Sequence, residues 1–101
     1  MSITSEYLAG SRTLRIQVSG RFDFSCHEAF RAAYESTHLG CERFEIDLTD
    51  AEYLDSSALG MLLVLRDHAG GDSADIEIQN CRPGVRKAFS ISNFDRLFDI
   101  H

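Results

Sequence analysis

The sequence has one proline, Pro83, and one lysine, Lys87. A single proline leaves no Pro-rich linker or polyproline tract. Arginine supplies all the other basic side chains, and no two of them form part of a basic run. Nucleic-acid binding needs a cationic stripe, and adhesion to an anionic membrane needs a polybasic segment. Neither is present, and 10 basic against 16 acidic residues leave a formal charge of −6. No apolar stretch approaches the roughly 18 residues of a membrane span. The opening MSITSEYLAG lacks the basic start and apolar centre of a secretory signal. The three cysteines, Cys26, Cys41 and Cys81, form no CxxC or Cys/His metal pattern. Three free thiols in a reducing compartment are therefore expected, and with them a cytoplasmic protein.

What is present is an ordinary globular composition, 44% apolar and 26% charged, over 101 residues. That length suffices for a single domain, residues 1–101, with a small core. Ile3 to Leu8 reads as a short edge strand and Ala9-Gly10-Ser11 as a turn. Thr13 to Ser19 alternates with period two, as a half-buried strand does, and Gly20 is expected to end it. Ser25 followed by Glu28 is a capping box, which places a helix start at Ser25. Phe30, Ala33 and Tyr34 form that helix's apolar stripe, with Gly40 closing the element. Phe44 to Leu48 is a strand. A helix spans about Ser56 to Ala69, stopped by Gly70-Gly71. Ala74 to Ile78 is a further strand. Pro83 opens a third helix to about Ser90. Phe94, Leu97, Phe98 and Ile100 make a last short apolar piece, read as an edge strand. Strands alternating with helices indicate the α/β class. Right-handed crossovers place the start of the central helix at the C-terminal edge of the sheet, where open sheets commonly carry function.

The central helix begins in YLDSSALG, residues 53–60. With Ser56 as origin and about 100° per residue, Ala58, Leu62, Leu65 and Ala69 make a core-facing stripe. The opposite side holds Ser56, Gly60, Leu63, Val64 and Asp67, with Ser57 at its flank. A solvent face is ordinarily polar. Leu63 and Val64 beside a bare glycine fit two readings. They are singly exposed or doubly packed apolar residues, or a shallow patch for a partner. Asp55 and Ser56 also carry two readings. Either side chain serves as a helix cap. A phosphoryl group on Ser56 would equally sit at a helix N-terminus, which favours negative charge.

Asp47-Leu48-Thr49-Asp50 followed by Tyr53-Leu54-Asp55-Ser56-Ser57-Ala58-Leu59-Gly60 resembles the signature of STAS domains, and most of all the bacterial anti-sigma factor antagonists. Gly20-Arg21-Phe22-Asp23 resembles the family's earlier G-x-[LI]-D. Val85-Arg86-Lys87-Ala88-Phe89 and the tail ISNFDRLFDI resemble its third helix and closing segment. The resemblance implies a single mixed four- to five-stranded sheet with helices mainly on one side. It implies a phosphorylation-controlled protein-binding switch with no catalysis or cofactor of its own. Ser56 is then the phosphoacceptor. Asp23, Asp55 and Ser57 surround it, and Gly60, Leu63, Val64 and Asp67 form the binding face. The implied partners are an anti-sigma factor that is a serine kinase of histidine-kinase-like ATPase fold, and a metal-dependent serine phosphatase. Two departures stand out: Ala58 replaces the family's usual glycine, and the chain stops at His101 where many relatives continue into another helix.

Two other readings compete. Some STAS proteins are transporter subunits, and a small cytoplasmic kind docks on the ATPase of an ABC-type lipid transporter without phosphorylation. A hydrolase using Ser56 as nucleophile would need a base in hydrogen-bond reach. The candidates are His27, His38, His68 and His101. His68 lies about 18 Å along the helix from Ser56, at roughly 1.5 Å per residue, and His27 is the one that spacing leaves open. Neither a G-x-S-x-G elbow nor a GxxxxGK[ST] loop occurs, so no enzyme is expected.

Overall fold

A computed structural model describes residues 2–35 and 41–101. Period-two segments form the sheet. β1 (Ser2–Leu8) runs antiparallel to β2 (Thr13–Phe22), with Ile3 opposite Val18 and Tyr7 opposite Leu14. β3 (Arg43–Asp47) lies parallel to β2, and β5 (Ile76–Gln79) parallel to β3. The two-residue β6 (Asp99–Ile100) closes that edge parallel to β5. The order is β1-β2-β3-β5-β6, and β4 (Ala51–Leu54) pairs with the end of β2, making six strands. The mixed sheet is as expected; β4 is the additional strand. It is four residues long, buried only at Ala51 and Leu54, so no alternation marks it in the sequence.

One face of the sheet presents Leu14, Ile16, Val18, Phe44, Ile46, Ile76 and Ile78, all buried. The helices α1 (His27–Glu35), α2 (Ser56–His68) and α3 (Pro83–Ile91) complete that core through Phe30, Tyr34, Ala58, Leu62, Leu65, Val85 and Phe89. The alternate positions, Arg15, Gln17, Glu45, Asp47, Glu77 and Gln79, give the other face a polar surface. Helices therefore cover one side, because only one side has apolar area to bury. The three cysteines are free: Cys26 is buried, Cys41 and Cys81 partly so.

Two sequence expectations are corrected. β2 does not end at Gly20 but continues to Phe22. Gly20 adopts φ 80°, and the register with β4 shifts there. The glycine bends the strand rather than stopping it, because positive φ costs it nothing, and the extra residue at the register shift is Glu52 of β4. The start of the first helical segment also differs. Asp23, not Ser25, caps a 3-10 turn (Phe24–Cys26) that leads into α1. Asp23 Oδ1 accepts from both the Ser25 backbone N–H at 3.0 Å and the Ser25 hydroxyl at 2.5 Å. The stop expected at Gly40 lies outside the described residues, as does His38. Downstream, α2 ends as expected: Gly70, just past it, takes φ 119°.

Candidate functional site

The site is built at the carboxyl ends of β2, β3, β4 and β5. Asp47, at the end of β3, is nearly fully buried. Its carboxylate accepts hydrogen bonds from the Thr49 backbone N–H (3.0 Å) and hydroxyl (2.6 Å). It also accepts from Arg15 Nη2 (2.9 Å), Gln17 Nε2 (3.3 Å) and Asn80 Nδ2 (3.2 Å). Burial pushes this acid up, but the donors on the charged form outweigh it and hold the carboxyl well below the usual range. Asp47 thus pins β2, β3 and the residue after β5 around the loop from which β4 and α2 rise. In the sequence Asp47 stands out only as a letter of the motif. The available signal was Asp-x-Thr, a pattern suited to side-chain bonding two residues on.

From that loop β4 leads to Asp55 and Ser56 at the surface. The Asp55 N–H donates to the Phe22 carbonyl at 3.3 Å, which ties the end of β4 to β2. Asp55 Oδ1 accepts from the Ala58 N–H at 3.1 Å and is the N-cap of α2. Ser56 follows as the first helical residue, exposed, while Ser57 is half-buried. The cap is therefore Asp55, and Ser56 is an exposed residue. Asp55→Ala should lower unfolding stability by about 1 kcal/mol. Chemical denaturation measures it, and an unchanged midpoint would mean that the cap bond contributes nothing.

Asp23 occupies the corresponding place after β2, one step beyond the Phe22–Leu54 pair. The Ser25 hydroxyl and backbone N–H hold its carboxyl below the ordinary value. Arg21 lies 3.6 Å from Asp23, with its guanidinium 4.2 Å from the centre of the Tyr53 ring. Sequence reasoning did not single out this cation; its stacking depends on the β2–β4 pairing.

On α2 the wheel separates the two faces correctly. Ala58, Leu62 and Leu65 are fully buried, and Met61, outside the anticipated stripe, is buried too. Gly60, Leu63, Val64 and Asp67 are exposed along with Ser56. Leu63 keeps 41% and Val64 57% of its surface accessible.

Among the described residues the histidines do not assemble a nucleophile site. His27 stacks on Phe24 at 5.2 Å, and His68 packs on Tyr34 at 5.0 Å. Among the described residues no hydrogen bond joins Ser56 to a histidine. His101 lies at the β5–β6 edge, 3.1 Å from Asp99. With Glu77, those two residues are the group of described residues whose ligand atoms, within 4.8 Å of one another, could hold a metal ion. Glu77 is already engaged by Arg43 and Gln79.

A family model described as "Mlab, STAS domain" matches residues 7–99. The chain belongs to the STAS domain family. A STAS-domain containing protein of Pseudomonas aeruginosa (strain UCBPP-PA14) is 55% identical over 100 residues, covering 99% of each chain. Among solved structures, the anti-sigma factor antagonist SpoIIAA in its unphosphorylated form is similar with a TM-score of 0.66 at 18% identity, over 94% of this chain and 96% of that one. The phosphorylated form of SpoIIAA, a Bacillus cell fate determinant, gives 0.69 at 18% identity, over 99% and 91%. A sulfate transporter family protein from Wolinella succinogenes gives 0.76 at 10% identity, over 88% of this chain and 75% of that one. These structural likenesses establish the STAS fold. No helix among the described residues is long and apolar enough to cross a membrane.

Proposed function

We propose that this STAS domain is an anti-sigma factor antagonist, a single-domain protein-binding switch controlled by phosphorylation of Ser56. The observation that carries the reading is the division of labour at the start of α2. Asp55 does the capping, which leaves the adjacent Ser56 exposed and its hydroxyl without a hydrogen bond among the described residues. Beside it stands an exposed face with Gly60, Leu63, Val64 and Asp67. In this reading the unmodified face binds an anti-sigma factor that is also a serine kinase. Phosphorylation adds about two negative charges next to an apolar contact and releases the complex. A metal-dependent phosphatase resets Ser56. The domain itself carries out no reaction and acts in the cytoplasm.

The transporter-like neighbour favours a second reading. There the same α2 face docks on the ATPase of a transporter, and Ser56 takes no phosphoryl group. Immobilised Ser56→Ala and Ser56→Asp proteins, exposed to lysate of the native host, separate the two. The switch predicts a kinase-type ATPase held by the alanine form and bound at least about tenfold more weakly by the aspartate form. Equal retention by both forms would overturn the switch, and a transporter ATPase retained in that way would establish the second reading.

A further inference from the structure

β6 is only two residues long, yet its pairing gathers three side chains that can ligate a metal. Asp99 stands opposite Glu77 across the parallel β5–β6 pair. His101 comes two residues after Asp99, so extended backbone returns its side chain to the same face. His101 Nε2 lies 3.1 Å from Asp99 Oδ1 and 3.6 Å from Glu77 Oε1. One ligand atom from each of the three lies within 4.8 Å of the others. Bonds of about 2.0–2.2 Å to a tetrahedral ion set neighbouring ligand atoms roughly 3.3–3.6 Å apart. The imidazole already stands near that spacing from both carboxylates.

The surroundings hold the group in place. The His101 N–H donates to the Ile78 carbonyl at 2.8 Å, and the His101 carbonyl accepts from the Cys81 N–H at 3.3 Å. The backbone of this ligand is therefore tied on both sides. Glu77 is the inner member, with 14% of its side chain accessible. Arg43 engages its Oε2, and Gln79 Nε2 donates to its Oε1 at 2.8 Å. A carboxylate oxygen that accepts one hydrogen bond keeps a second lone pair, and outer hydrogen bonds of this kind orient the ligands of metal sites. Charge points the same way. Arg43 is shared with Asp75, 4.0 Å away, so Asp75, Glu77 and Asp99 stand against one guanidinium. Beside a neutral imidazole that leaves two negative charges. A divalent cation balances both, whereas an imidazolium balances one.

We propose that Glu77, Asp99 and His101 form a site for a divalent transition-metal ion of the zinc type, which fastens β6 to the edge of the sheet. One nitrogen with two oxygens suits zinc, whereas magnesium and calcium take oxygen ligands. Solvent completes the coordination. The site goes beyond the phosphorylation reading, since it lies on the polar face of the sheet, away from α2.

The test uses the full 101-residue chain, without a histidine tag and labelled with 15N, titrated with zinc chloride alone in a non-chelating buffer. The expected result is one ion per chain with a Kd of about 100 µM or tighter, and amide shifts centred on Glu77, Asp99 and His101. Zinc at a hundredfold excess over Kd should raise Tm by at least about 5 °C. His101→Ala and Asp99→Asn should each weaken zinc binding at least about tenfold. Both side chains are exposed, so the metal-free Tm of either variant should move by no more than about 2 °C. Cys81 adjoins His101 in the fold, and Cys81→Ser should bind zinc as the unmodified chain does. Magnesium at about 10 mM should not compete. A Kd weaker than about 100 µM, full binding by His101→Ala and Asp99→Asn, loss of binding in Cys81→Ser, or effective competition by magnesium would each overturn the proposal. None of these outcomes touches Ser56. The metal site can fail with the phosphorylation switch intact, and a switch insensitive to Ser56→Asp would leave the zinc result standing.

Discussion

Asp47→Ala is expected to lower unfolding stability by about 3 kcal/mol, because it removes five hydrogen bonds to one buried carboxylate at once, one of them from the half-buried Arg15. For a domain of this size that lowers Tm by roughly 15 °C. The donors in question come from Thr49, Arg15, Gln17 and Asn80, on separate parts of the fold. The same carboxylate should dominate the acid limb of the stability curve. Its pKa is depressed in the folded protein, so the unfolded chain binds the proton more readily. The stabilisation is complete above about pH 5, beyond the ordinary unfolded value near 3.9. It is lost as pH falls below that value toward the folded one. Urea midpoints at successive pH values should therefore fall between about pH 4 and pH 2. In Asp47→Asn the curve should start lower and be flatter over that interval. A Tm within about 2 °C of the unmodified protein would show that the network contributes little. Since this network holds the loop beneath β4, Asp47→Asn should also weaken partner binding without touching the binding face.

The second large effect concerns α2. Leu63→Glu and Val64→Glu are each expected to reduce partner affinity by about a hundredfold while moving Tm by no more than a few degrees. A charge placed in a desolvated apolar contact costs several kcal/mol, whereas exposed positions tolerate it. Leu62→Glu is the internal control. Leu62 is completely buried, so the same substitution one residue earlier should unfold the domain. Titration calorimetry with the captured partner, paired with thermal melts, reads both quantities. If Leu63→Glu or Val64→Glu unfolded the protein, those side chains would belong to the core. If both bound normally, the α2 face would not be the interface.

The two α2 variants rest on a helical wheel that needed no structure. Alternation and periodicity are local, and they placed β1, β2, β3, β5 and all three helices near their observed positions. The exceptions are equally instructive. β4 is too short to show a period, and it is a strand because β2 continues past Gly20 to meet it. Ser25 and Asp23 both resemble caps in one dimension. The fold gives the cap to Asp23, whose carboxylate accepts from the Ser25 backbone N–H.

By itself, then, the sequence determined the α/β class and the two faces of α2, and it left open whether Asp55 or Ser56 caps that helix. The class and the faces each depend on residues within a few positions of one another. Tertiary structure alone decided the rest. Asp47 meets Arg15 and Asn80 across 32 and 33 residues. Glu77 meets Asp99 and His101 because β6 returns to pair with β5. Contacts of that range leave no period in the chain, because what brings them together is burial of the common core rather than any local preference.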